Sequence, residues 1–209
     1  MLDTALDLFS DFDPAEVAAI HASHIRAREA AGQARAVRRQ ARRHTRRAKA
    51  QAHLAEILPA RFEEGDSWHV ISHGDMDALS YLIHALDGVD YFDHVLLSSW
   101  CMSKDDLIQI ESWLDAVRID RLDLYMGEIF PSQYGDEYEL ALRLQKDYGL
   151  RLVIARNHSK ITLASNTREK YYLAIESSAN INTNPRIELT AIHADQALYD
   201  FYLEFFSGI

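Results

Sequence analysis

A single cysteine, Cys101, stands in the whole chain. That excludes an intrachain disulfide and a thiolate zinc cluster, and it suits a reducing compartment. No stretch reaches the ~18 to 20 uninterrupted apolar residues that a membrane helix needs. The opening Met1-Leu2-Asp3 is acidic where an export signal would be basic, so a cytoplasmic location is expected. Proline is missing from Glu16 to about Leu58, and Gly32 is the one glycine there, which leaves little to interrupt a helix. Acidic residues are scarce in part of that run. Residues 22 to 50 hold ten Arg or Lys against Glu29, a net +9, while the remainder holds twelve bases and thirty-one acids, a net −19. The formal −10 of the chain therefore hides an acidic body with one basic arm. Internal repeats are absent, and the Arg-rich run is the sole compositionally biased segment.

What is present suits a soluble globular protein. A length of 209 residues allows one well-buried core with a small appendage, and 48% apolar and 26% charged residues are ordinary proportions. Residues 1 to 20 read as a short acidic amphipathic segment, with Asp13 as a helix cap and Pro14 at the first helical position. Beyond it, Arg35, Arg38, Arg39, Arg42, Arg43, Arg46, Arg47 and Lys49 recur at three- and four-residue steps and make a cationic helix. Two readings stay open. One is a phosphate-tracking arm for nucleic acid; the other is a solvated helix whose arginines pair with the acidic body or with a partner's acidic surface. The arm lacks the bulky apolar stripe of a membrane-surface helix, and nothing in it reads bases in sequence.

Pro59 and Glu63-Glu64-Gly65-Asp66 mark a boundary, placing a helical region at 1–62 and a second domain at 66–209. In that domain strands and helices alternate. Strands are expected at Trp68–Ser72, His94–Ser98, Arg121–Met126, Arg151–Ala155, Lys160–Leu163, Tyr171–Ile175 and Arg186–Ile192. Helices are expected at Asp77–Leu86, from a Ser103-Lys104-Asp105-Asp106 cap to about Val117, at Glu137–Tyr148 ending on Gly149, and at Asp195–Phe206. The expected fold class is an α/β sandwich with a parallel or mixed sheet.

Chemistry gathers near the C-terminal end. In Asn157-His158-Ser159-Lys160, a His and a Lys two apart share one face of an extended strand, placing an imidazole beside a fixed positive charge. Glu176-Ser177-Ser178-Ala179-Asn180 follows, adding a hydroxyl and a carboxamide. Such parts can handle a phosphate group without a metal. Ser72-His73-Gly74-Asp75-Met76-Asp77 lies between a strand and a helix, where α/β folds place ligand groups. It reads as a capped turn, as a lining for the site through His73 and Asp75, or as a divalent-metal site. Ser98-Ser99-Trp100-Cys101 ends the neighbouring strand and lines the same cleft in this reading, through Ser99. Cys101 has no activating neighbour in sequence and reads as a structural thiol.

His158-Ser159-Lys160, Ser177-Ser178-Ala179-Asn180 and Arg186-Ile187-Glu188, in that order, resemble the phospholipase D superfamily. Its signature is H-x-K, four residues, Asp, then G-S-x-N and a downstream Glu. The likeness is to small members with one motif per chain, bacterial nucleases and related restriction-enzyme domains, and covers roughly residues 66 to 209. Two positions depart: the family's Asp falls at Ser165, and its Gly at Ser177. The interval between them is also longer, with Asn166-Thr167-Arg168-Glu169-Lys170 as an enlarged hairpin tip.

The resemblance implies a phospholipase D-like fold and a metal-independent phosphodiesterase, a nuclease rather than a lipase, without cofactor. His158 would be the nucleophile, and Lys160 and Asn180, with Ser178, would hold the non-bridging oxygens. Glu188 would accept from the far ring nitrogen of His158. One motif per chain implies a two-fold homodimer, and the expected partner is nucleic acid, DNA ahead of RNA. The alternative is a non-catalytic nucleic-acid-binding or assembly protein that keeps the fold.

Overall fold

The computed structural model describes the backbone of residues 37–182 and 186–209, and side chains from Arg46 onward. The acidic opening segment, the Asp13 cap, Gly32 and Arg35 lie outside the described residues. Arg38, Arg39, Arg42 and Arg43 lie on the backbone of α1, Val37–Ile57. From Arg46 to Ile209 the chain forms one compact unit. The end of α1 belongs to it because Ala50, Leu54 and Leu58, at four-residue steps, are buried in its core.

Seven strands make one mixed sheet: β1 Ser67–Ser72, β2 Phe92–Ser99, β3 Ile119–Gly127, β4 Arg151–Ala155, β5 Ile161–Asn166, β6 Tyr171–Ser177 and β7 Glu188–His193. Their order across the sheet is β1-β7-β6-β5-β2-β3-β4. The β2-β3-β4 edge is parallel and the rest antiparallel. The parallel part needs crossovers, and α3 (Lys104–Asp115) and α5 (Gly135–Tyr148) supply them. The short α4, Phe130–Gln133, leads into α5. The expected α/β sandwich with a mixed sheet is what the chain forms. Because β5 and β7 run against the other strands, one edge of the sheet collects the C-termini of β1, β2, β3, β4 and β6 with the N-termini of β5 and β7.

The helix boundaries follow their caps. Asp77 caps α2 (Ala78–Val89), accepting from the Ser80 N–H and hydroxyl, both at 2.9 Å. Ser103 and Asp106 form the expected capping box of α3. Gly149, at φ 69°, ends α5 in the left-handed conformation that glycine adopts without strain. Asp195 caps α6, Gln196–Ser207. The expected hairpin tip at 166–170 is a 3₁₀ turn, Thr167–Glu169, capped by the Asn166 side chain.

One face of the sheet packs Val95, Leu97, Leu122, Leu124, Leu173 and Ile175 in the larger core with α1, α2, α3 and α5. The other face carries α6 over Leu96, Tyr125, Leu163 and Ala174. Under α6 runs a buried polar chain. His94 Nδ1 lies 2.7 Å from the Tyr199 hydroxyl and its Nε2 3.2 Å from Asp123; Tyr199 donates to Ser165 (3.2 Å), and Ser165 to Asp93 (2.7 Å). Every buried polar group in that chain has a partner, as a low-dielectric interior requires. Tyr171, Tyr172, Tyr199 and Tyr202 take packing roles: Tyr171 stacks on Phe92, and Tyr172 lies against Tyr199.

Candidate functional site

His158 and Lys160 differ from expectation in their backbone. They lie not on a strand but in the irregular segment between β4 and β5. The cause is Asn157. Its Oδ1 accepts from the Ser159 N–H (3.0 Å) and hydroxyl (2.6 Å), a side-chain turn of the kind asparagine makes two residues ahead. Its Nδ2 donates to Ser98 Oγ (2.9 Å) and the Tyr125 carbonyl (2.8 Å), so the turn is anchored to the ends of β2 and β3.

Within that turn Lys160 folds back on His158. Its Nζ lies 2.9 Å from Nδ1 and 3.5 Å from Nε2, and donates to the His158 carbonyl at 2.6 Å. Burial lowers the Lys160 pKa, and electrostatic attraction toward Cys101 and Glu188 offsets only part of that. The ammonium is therefore a half-buried cation beside an exposed imidazole.

The second cluster follows β6. The Ser177 N–H donates to the Lys160 carbonyl at 2.9 Å, which ties the two clusters together. Ser178 Oγ donates in a short hydrogen bond to Glu188 Oε2 and accepts from the Leu189 N–H at 2.9 Å. The hydroxyl proton of Ser178 and the carboxylate of Glu188 are thus directed at each other, and the described partner of the His158 ring is Lys160. Asn180 Oδ1 lies 3.5 Å from Ser99 Oγ, and its backbone carbonyl accepts from the Ala78 N–H at the start of α2 (3.3 Å). The Asn180 Nδ2 has no protein partner among the described residues and remains a donor available to a ligand.

Ser99 is fully buried and works as a clasp, donating to the Cys101 carbonyl (2.8 Å) and accepting from the Ile181 N–H (3.1 Å). His73 and Asp75 follow β1, whose last residue, Ser72, pairs with Glu188 in register. Both are exposed, and Asp75 lies 3.9 Å from His53 Nδ1 on α1. Among the described residues no group of three His, Cys, Asp or Glu could hold a metal ion.

Of the basic residues, Arg46 and Lys49 are exposed. Arg47 is not available to a phosphate backbone. Its guanidinium lies 3.0 Å from Asp77 and 2.6 Å from Asp106, both buried, and joins the N-termini of α2 and α3. Burial opposes that charge, but the two carboxylates outweigh it and raise the Arg47 pKa. For this residue, pairing with the acidic body is the reading that holds.

No family model matches the chain. No curated protein matches it either. Among solved structures, the polyphosphate kinase from Porphyromonas gingivalis is similar over 67% of this chain and 23% of that one, with 16% identity and a TM-score of 0.49. A similarity this low fixes neither family nor activity.

Three contributors carried no assigned role in the sequence reading. Asn157 shapes the turn, and its signal is the Asn-x-Ser spacing. Trp100 lies with its ring centroid 5.4 Å from that of His158. Gly127, the last residue of β3, has no space for a side chain: a Cβ there would lie 2.5 Å from Trp100 Cδ1 and 3.1 Å from the Asn157 carbonyl oxygen.

Proposed function

We propose that this chain is a metal-independent phosphodiesterase acting on nucleic acid through a phosphohistidine at His158. The observation that supports it most is the half-buried Lys160 ammonium at 2.9 Å from the His158 ring, on the sheet edge that also bears Asn180 and Glu188. In the first step a ring nitrogen of His158 bonds to phosphorus and the bond from phosphorus to the leaving oxygen breaks. The leaving oxygen takes a proton from His158 of a second copy of the chain. In the second step that imidazole deprotonates water, which attacks phosphorus and releases His158.

An incoming phosphate competes for Lys160. As Nζ turns from Nδ1 to a non-bridging oxygen, the ring nitrogen it covered is freed as the charge to be stabilised arrives. The Nδ2 of Asn180 supplies a second donor to that oxygen set. Ser165, where the family resemblance expects Asp, hydrogen-bonds Asp93 from β2, so a carboxylate still reaches that place. The need for a second imidazole makes the working unit a two-fold homodimer.

The test is cleavage of single- and double-stranded substrates in EDTA, beside His158→Ala. Activity in chelator that disappears in the variant is the expected result; cleavage that survives His158→Ala would sink the proposal. A monomeric mass at working concentration would remove the two-imidazole step. The second reading, a non-catalytic nucleic-acid-binding or assembly protein, is favoured by the Ser178–Glu188 bond, which occupies a carboxylate the reaction would use. It predicts salt-sensitive binding without cleavage.

A further inference from the structure

Trp100 is half-buried at the carboxyl end of β2, beside the proposed nucleophile. It belongs to neither apolar cluster, so its indole is not there to fill the core. Its ring neighbour is His158, an exposed polar side chain, at 5.4 Å and an interplanar angle of 53°. β3 makes room for this placement by omitting a side chain at Gly127, where a Cβ would meet Trp100 Cδ1 at 2.5 Å and the Trp100 carbonyl oxygen at 2.8 Å. The second of those atoms is backbone and cannot swing away, so the glycine is required by the close approach of the chain at Trp100, and its bare Cα also leaves the space that the indole edge occupies.

A large aromatic surface, partly in solvent and one ring away from a nucleophile, fits a flat π-faced group next to the phosphate. We propose that Trp100 is the stacking platform for a nucleobase flanking the scissile phosphate, a specificity-determining contact that separates nucleic acid from other phosphodiesters. This rests on the phosphodiesterase reading above. Stacking on an aromatic face needs no particular base, so the contact selects for the presence of a base and not for its identity.

The experiment compares a short single-stranded oligonucleotide with an abasic strand of equal length and charge, for the intact chain, Trp100→Leu and Trp100→Phe. Cleavage in EDTA and equilibrium binding are both measured. The intact protein should favour the base-bearing strand in KM by about five-fold to about a hundred-fold. Trp100→Leu should erase that preference while keeping the abasic KM, and Trp100→Phe should restore most of it. An unchanged preference in Trp100→Leu, or an equal loss on both strands, would overturn the stacking role. His158-dependent cleavage without any base preference removes the platform and leaves the reaction standing. A Trp100-dependent binding preference with no His158-dependent cleavage keeps the platform and removes the reaction; no interaction with either strand removes both. Should Trp100→Leu misfold, quenching of indole emission by the base-bearing strand but not the abasic one, lost in Trp100→Phe and kept in Trp68→Phe, decides the question.

Discussion

Lys160, a residue of the proposed site, carries a charge that costs stability. Its pKa is depressed because burial disfavours the ammonium. The ammonium is thus less favourable in the fold than in the unfolded chain, and that cost is present at neutral pH and relieved as pH rises toward the unfolded value. Lys160→Met should therefore leave the melting temperature unchanged or raise it, while lowering cleavage by about a hundred-fold or more. A clear drop in stability would mark the lysine as structural. Asp93 behaves in the opposite sense. Burial raises its pKa, but hydrogen bonds from Thr167 and Ser165 outweigh that and the net shift is downward. The stability it supplies is complete above the unfolded value of about 3.9 and is lost as pH falls through the lower folded value. Asp93→Asn should cost about 1 to 2 kcal/mol at neutral pH and flatten the acid limb of a stability-versus-pH curve. An unchanged acid limb would exclude Asp93 from this role. The candidate residues and their order can be read along the sequence. Their pairing cannot, because Ser178 and Glu188, ten residues apart, meet only through the β6–β7 register.

At the scale of elements, one charged side chain adds to the apolar contacts of Ala50 and Leu54 in fastening α1. Arg47 bridges Asp77, the cap of α2, and Asp106, within the capping box of α3. Removing one partner of a buried ionic group is costly, so Arg47→Met should destabilise the unit by about 3 kcal/mol in chemical denaturation. A loss no larger than that of an exposed arginine such as Arg46 would contradict the bridge. Because the Ala78 N–H at the start of α2 holds the Asn180 carbonyl, the same variant should loosen the segment that carries Asn180. Helix ends were readable in the sequence because caps are local: Asp77, Ser103, Gly149 and Asp195 all act within a few residues. The strand at Arg151–Ala155 was readable from its apolar run. The irregular turn at 157–160 was not, since Asn157 holds it through contacts to Ser98 and Tyr125, 59 and 32 positions away. The partners of Arg47 were equally out of reach, because a charge periodicity does not say which charge faces inward.

For the whole molecule the charge asymmetry can now be divided more finely. The compact unit begins at Arg46, so a deletion ending at Thr45 leaves all of its residues in place. Deleting residues 22 to 45 should lower nucleic-acid affinity and the steepness of its salt dependence together, with little change in melting temperature. A deletion through residue 50 should instead unfold the unit, since it takes Arg47 and the buried Ala50. Unchanged affinity after the shorter deletion would assign the arm to protein contacts.

The sheet order also sets a schedule for synthesis. Among the described residues β1 pairs with β7 alone, and Ser67 meets His193 across most of the unit's sequence. On a ribosome, β2, β3 and β4 can assemble as they emerge, whereas β1 must wait for nearly the entire chain. During that wait Trp68, Val70 and Ile71 form an apolar strand without a ladder partner, the kind of intermediate that chaperones protect. Nascent chains halted before Glu188 should be cut by protease near β1 and resist it around β2 and β3. Uniform resistance in such chains would mean that β1 finds a temporary partner before β7 exists.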